Sequence, residues 1–189
     1  PTPTPTATPT PMPAGAYNPS PITEGEIVFV AETSGVKNIY VVKEDGSDFR
    51  RITDESSFQI NDYAVVLDGT HIVLDGSDNN GDQLYLLNLN TSAKTDLMQQ
   101  FGLVGDGYVG SVSPDGQKIA FHHNGRDLSV IDLNNMTIAS LLSETDYYPG
   151  SASFSPDGEY IAYTGTHYVD QGSVKDRAAL YLLKADGSF

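Results

Sequence analysis

The sequence predicts an all-β fold of repeated four-stranded antiparallel units, the layout of a β-propeller or a solenoid. Three observations predict it. First, "SVSPDGQKIAF" (111–121) returns as "SFSPDGEYIAY" (153–163), and a degraded copy, "AVVLDGTHIVL", stands at 64–74. The copies start 47 and then 42 residues apart, and a period of that length built from short apolar strands marks a repeat architecture. Second, "NIYVVKEDGS" (38–47), "QLYLLNLNTS" (83–92), "DLSVIDLNNM" (127–136) and "ALYLLKADGS" (179–188) recur in step with it. Third, "FRRIT" (49–53), "KTDLM" (94–98) and "IASLL" (138–142) follow three of these runs. Between Gly25 and Phe189 no helical periodicity competes with this pattern.

Each unit therefore reads as four short strands. The first and second are joined by a Pro-Asp-Gly turn, in which proline presets φ, glycine supplies φ > 0 and aspartate bonds nearby backbone. Pro114-Asp115-Gly116 and Pro156-Asp157-Gly158 have this chemistry in full, and Leu67-Asp68-Gly69 lacks only the proline. An Asp-Gly or Asn-rich turn joins the third strand to the fourth. Val, Ile, Tyr and Phe dominate between the turns, as a pleated, half-buried surface prefers. Read against these repeats, "GEIVFVA" (25–31) is a second strand whose unit lacks its first, and the last unit stops at "KADGSF". Three and a half units leave an unpaired edge, which native sheets avoid. The sequence thus reads as an incomplete ring, with a four-bladed ring of irregular closure as the alternative.

The 24 residues before this region are a different material. "PTPTPTATPTPMP" alternates proline with threonine, and eight of the eleven prolines precede residue 22. Such a stretch favours extended polyproline II and behaves as a semi-rigid spacer. The division is a linker at 1–24 and the repeats at 25–189. Thr-Pro tracts suit a tether outside the cell, on a secreted, periplasmic or cell-surface protein or a lipoprotein. No apolar run reaches transmembrane length, so membrane insertion is not expected and attachment would run through the linker.

The units resemble the WD-like repeats of TolB-type β-propellers, whose pattern runs roughly S-P-D-G-x-x-I-A-F, a polar loop, I-Y-V, a D-G turn and L-T. The resemblance is close at 111–121, 153–163, 38–47 and 179–188, partial at 64–74, and weak at 127–136, where Ser129 replaces the usual tyrosine. It covers about residues 25–189. It implies a propeller of four-stranded blades, of which TolB-like members carry six or more.

The net charge is −15, and the linker contributes only Glu24 to it. Nucleic acid is therefore not an expected partner, because binding it calls for a basic patch. There is no cysteine, so neither a disulfide framework nor thiolate chemistry is available. No cofactor is expected. Asp75, Asp78, Asn80 and Asp82 imitate a calcium loop, but Gly76 and Leu87 occupy positions that need ligands. His122 and His123 are adjacent on a strand, point to opposite faces, and do not serve one metal. Gly105-Asp106-Gly107 precedes no helix that would make a phosphate cradle, and no G-x-S-x-G elbow occurs.

In an up-and-down unit, the Pro-Asp-Gly and Asp-Gly turns share one end. The opposite end collects the segments 56–63, 74–83, 99–108, 122–127, 143–150 and 165–178, read as irregular loops. Loops on a rigid scaffold are where binding residues concentrate. The candidates are Asp62, Tyr63, Tyr108, Asp146, Tyr147 and Tyr148, because tyrosine combines contact area with a polar handle. Packing between blades is the competing role for each tyrosine. Two functions fit: a non-enzymatic extracytoplasmic module binding a protein, peptide or glycan, or the propeller that gates a prolyl-oligopeptidase-type hydrolase encoded beyond residue 189.

Overall fold

The computed structural model describes residues 15–143, 147–167 and 179–188. Among these residues, fourteen strands fall into four antiparallel sheets in chain order. The first sheet holds β1 (Glu26–Thr33), β2 (Val36–Lys43) and β3 (Arg50–Arg51). The second holds β4 (Gln59–Val65), β5 (His71–Asp78), β6 (Gly81–Asn88) and β7 (Lys94–Asp96). The third holds β8 (Gly107–Val112), β9 (Lys118–His123), β10 (Asp127–Asp132) and β11 (Thr137–Leu142). The fourth holds β12 (Tyr147–Phe154), β13 (Tyr160–His167) and β14 (Ala179–Lys184). In every sheet the strands lie side by side in sequence order, as the double period of turns and strands requires. As expected, "GEIVFVA" forms a strand (β1) that begins its sheet.

The strand interiors of the second and third sheets are apolar on both faces because each of these sheets packs between two others. Along β5, Ile72 and Leu74 face the first sheet while Val73 faces the third. Along β9, Ile119 and Phe121 face the second sheet while Ala120 faces the fourth. Three separate cores result, one at each junction between consecutive sheets. A fully buried Ile or Leu contributes roughly 1.5–3 kcal/mol, and many of these are completely buried. The first strands β8 and β12 pack against one another, and β8 also packs against β4. Contacts between sheets are made mainly by these first strands, so the sheets splay outward like blades from a common axis.

The turns follow their chemistry. Gly69, Gly116 and Gly158 have φ of 66°, 72° and 75°, which an L side chain adopts only with strain. Asp115 Oδ1 accepts from Gln117 N at 3.0 Å, and Ser113 Oγ accepts from Lys118 N at 2.9 Å. Asp157 and Ser155 repeat both bonds with Glu159 N and Tyr160 N. The turns also stack: a side chain at Gly116 would meet Leu67 at 2.9 Å, and one at Gly69 would meet the Ile22 carbonyl at 2.3 Å.

Three features differ from the sequence expectation. "KTDLM" is not a strand throughout. Asp96 accepts a hydrogen bond from Gln99 N, caps a four-residue helix, α1 (Leu97–Gln100), and turns Leu97 and Met98 into the second core. Segments 74–83 and 122–127 are not irregular loops but continuous hairpins. Asp78 accepts from Asn80 N, and Asn124-Gly125 takes φ of 52° and 65°, the mirror-image turn that matches strand twist. Finally, residues 15–22 run along the outer edge of the first sheet. Asn18 N donates to Arg51 O, Arg51 N to Ala16 O, and Ile22 N to Gly69 O.

Candidate functional site

The first strands of the second, third and fourth sheets enter from the end opposite the Pro-Asp-Gly turns. They carry the candidates Asp62 and Tyr63 on β4, Tyr108 on β8, and Tyr147 and Tyr148 on β12. All five were expected on loops, and all five stand on strands. The reason is that cross-strand pairing begins earlier than the apolar pattern suggests: Asp62 pairs with Asp75, Tyr108 with His122, and Tyr147 and Tyr148 with His167 and Thr166. Asp146 and the side chains of Tyr147 and Tyr148 lie outside the described residues, as does 168–178.

Each of these first strands contains a bulge. The register shifts between Ile60 and Asp62, between Val109 and Ser111, and between Pro149 and Ala152. A bulge bends the strand and re-aims the side chains beside it. At Gly110 the shifted backbone approaches its neighbours so closely that a side chain would lie 2.9 Å from Ala120 O and 3.0 Å from Ala152 O. The bulge of β4 adjoins Asp62, and that of β8 lies two positions after Tyr108.

The tyrosines have separate roles. Tyr63 OH donates to Val28 O at 2.8 Å and its ring packs on the first core, so it joins two sheets. Tyr108 is half-buried. Its OH donates to Asp82 Oδ2 at 2.7 Å, and its ring stacks on His122 with centroids 5.1 Å apart. The Asp82 carboxylate, together with burial, holds the Tyr108 phenol far above its ordinary range, so it stays protonated and donating. Burial lowers the His122 imidazole, and the neighbouring His123 lowers it further. His123 points the other way, stacking on Phe121 and meeting Ser129 Oγ at 3.2 Å.

Asp75 is the buried member of the group, 4% exposed. Its Oδ2 accepts from Val109 N at 3.2 Å, while its Oδ1 has no hydrogen-bond partner among the described residues. Burial pushes its carboxyl up to about 6. Val109 N and Asn61 pull it back, and the Asp62 and Asp82 charges add to the rise. A groove of about 550 Å³ lies between the β5–β6 hairpin and the 97–106 connection, and none of the candidate residues lines it. It is lined by Gln83, Asp96, Gln99, Val104 and Asp106 among others. Val104 is 73% exposed in its wall. A second groove, of about 660 Å³, lies away from all the candidates, between residues 16–23 and the first sheet.

Sequence reasoning missed two further clusters. Lys94 Nζ sits 4.1 Å from the Phe58 ring centre, 4.3 Å from that of Tyr85, and 3.0 Å from both Glu55 carboxylate oxygens. It ties the 54–58 connection to the second sheet. His71 links Asp68 Oδ2, at 2.5 Å, to the Asn88 amide, at 2.9 Å, and so joins the two turns at the other end. Neither cluster presents a nucleophile. Among the described residues no group of three His, Cys, Asp or Glu is placed to hold a metal ion.

Solved structures with this arrangement belong to otherwise different proteins. Hydrazine synthase of Kuenenia stuttgartiensis aligns over 96% of this chain and 49% of its own, with 18% identity and a TM-score of 0.57. Oligogalacturonate lyase of Vibrio parahaemolyticus aligns over 89% and 46%, with 16% identity and a TM-score of 0.55. Acylaminoacyl peptidase of Pyrococcus horikoshii aligns over 69% and 24%, with 15% identity and a TM-score of 0.51. At these identities the likeness establishes the fold alone. The chain spans between about a quarter and a half of these three solved chains. The sequence model of the TolB beta propeller domain matches residues 9–189.

Proposed function

The chain belongs to the TolB β-propeller domain family, and from that premise we propose that it is a non-enzymatic binding module working outside the cytoplasm. Its partner is a protein, peptide or glycan that docks where β4, β8 and β12 begin. One observation carries this reading. Three consecutive first strands, each bulged, bring acids and tyrosines to one end beside an open groove. The other end is closed by regular, self-bonded turns. The surface offers half-buried Tyr108 and exposed Val104 among carboxylates, chemistry suited to a sugar face or a basic peptide. The net charge of −15 favours the basic partner. The Thr-Pro segment supports a tether in an exported protein, and among the described residues no helix is long and apolar enough to cross a membrane.

The test is a screen of the chain against a glycan array and a random-peptide library, with hits mapped by NMR. The footprint should include residues 59–62, 104–108 and 147–148. Alanine at one or more of Tyr108, Tyr147 and Tyr148 should weaken binding by at least about 1 kcal/mol, and Asp115→Ala at the opposite end should not. A footprint on the Pro-Asp-Gly turns or the outer strands overturns the assignment. A G-x-S-x-G segment encoded downstream of Phe189 would replace this reading with that of a gate over a hydrolase.

A further inference from the structure

Two sheet faces stand open, and each is built like a face that is covered elsewhere in the chain. On the fourth sheet, Leu180 is 74% and Leu182 63% exposed. Leu182 stands opposite Ala162 in the ladder, so the three share one face. Their counterparts on the third sheet, Leu128, Val130 and Ala120, pack against the fourth sheet. Those on the second, Leu84, Leu86 and Val73, pack against the third. On the first sheet it is the opposite face that is open. Ile27 is 51% exposed, and Phe29 beside it stacks on Tyr40 and Phe49, with centroids 5.8 and 6.3 Å away. Aligned on the repeats, Ile27 and Phe29 correspond to Ile72 and Leu74, to Ile119 and Phe121, and to Ile161 and Tyr163. Each of those is buried against the sheet before it.

We propose that these faces join in trans, the fourth sheet of one copy receiving the first sheet of a second copy, head to tail. The three junctions inside the chain set the pattern. What covers Leu128 and Val130 is a neighbouring second strand with an isoleucine and an aromatic two residues apart, Ile161 and Tyr163. The first sheet presents the same pair, Ile27 and Phe29, on a second strand whose open face has the same sense. Within one chain the two faces do not cover each other, since Ile27 and Leu182 are both open. Between two copies they form a fourth junction of the same kind, and the leucines and the isoleucine leave water together. The contact uses two different patches. Each added copy therefore carries a fresh open face, and the assembly either closes into a ring or goes on growing. The inference does not depend on what docks where β4, β8 and β12 begin.

The experiment is sedimentation velocity of the full chain and of two variants, Leu182→Glu and Ile27→Glu, over rising protein concentration. Both positions are more than half exposed, so the variants should keep the strand signal in circular dichroism. If either loses it, serine replaces glutamate at that position. The unaltered chain should gain mass reversibly with concentration. Each variant alone should remain a monomer, because one of its two faces is blocked. Mixed in equal amounts, the variants should form a species of about twice the monomer mass and no larger, since one intact face of each kind remains. A chain that stays monomeric at every concentration overturns the proposal. So does a variant that still associates by itself, which would mean that like faces pair, and so does a mixture that stays monomeric.

Discussion

Glu26 shows how one side chain can carry the edge of a sheet. Its carboxylate is 3% exposed and pairs through both oxygens with Arg50, whose side chain is 11% exposed, and it also accepts from Thr23 N at 2.7 Å. The Arg50 guanidinium holds it at about 2, well below its ordinary 4.5, against the opposing effect of burial. A lowered carboxylate stabilises above its ordinary value and ceases to as pH falls from 4.5 to 2. Glu26→Gln should therefore cost about 3 kcal/mol at pH 7 and much less at pH 2.5, measured by urea unfolding; equal costs at both pH values would refute the pairing. The turn glycines make a second, graded prediction. Pro114→Ala should cost only about 0.4–1 kcal/mol, through the unfolded chain. Gly116→Val should cost about 2 kcal/mol or more, since it adds a clash 2.9 Å from Leu67 to the strain at φ 72°. Gly158→Val should fall between them, because its nearest obstacle, Pro114, is 3.5 Å away. Any other order would show that the turns are not what restricts these positions. At this scale the turns were legible in the sequence, because Pro, Asp and Gly act on their immediate neighbours. The Glu26–Arg50 pair was not, because it joins residues 24 apart in the chain.

At the scale of elements, hairpin chemistry decides how much of each unit is regular. Asn124-Gly125 is a strong hairpin signal, yet its polar flanks led to a loop being expected at 122–127. The ladder instead runs to His123 and resumes at Asp127. The bulges in β4, β8 and β12 were invisible for another reason. They depend on the backbone of the next sheet, as Gly110 depends on Ala152, and no local pattern encodes that. Thus the end of the molecule that carries the candidate site could be identified from topology, while the aim of its side chains could not. The 54–58 connection shows how an element without regular structure is fixed, since Lys94 is caged by Phe58, Tyr85 and Glu55. Lys94→Met should cost about 1 kcal/mol and raise hydrogen exchange across 54–58. Unchanged exchange there would show that the cage does not hold the connection.

For the whole molecule, equivalent positions have unequal surroundings. The second and fourth residues of the repeated runs that start at Asn38, Gln83 and Asp127 face the following sheet: Ile39 and Val41, Leu84 and Leu86, Leu128 and Val130. Their counterparts on β14, Leu180 and Leu182, are 74% and 63% exposed. Leu180→Glu should change stability by less than about 0.5 kcal/mol and improve solubility. Leu128→Glu, which buries a charge, should prevent folding, and circular dichroism separates the two outcomes. The stacked turns give the assembly a direction. Gly116 seats on Leu67 and Gly158 on Pro114, each in the unit before, and Gly69 seats on Ile22 in the segment that precedes β1. During synthesis on a ribosome, every unit thus emerges to find its template already laid. Exchanging whole units by recombination succeeds only when the incoming glycine meets a neighbour shaped to receive it.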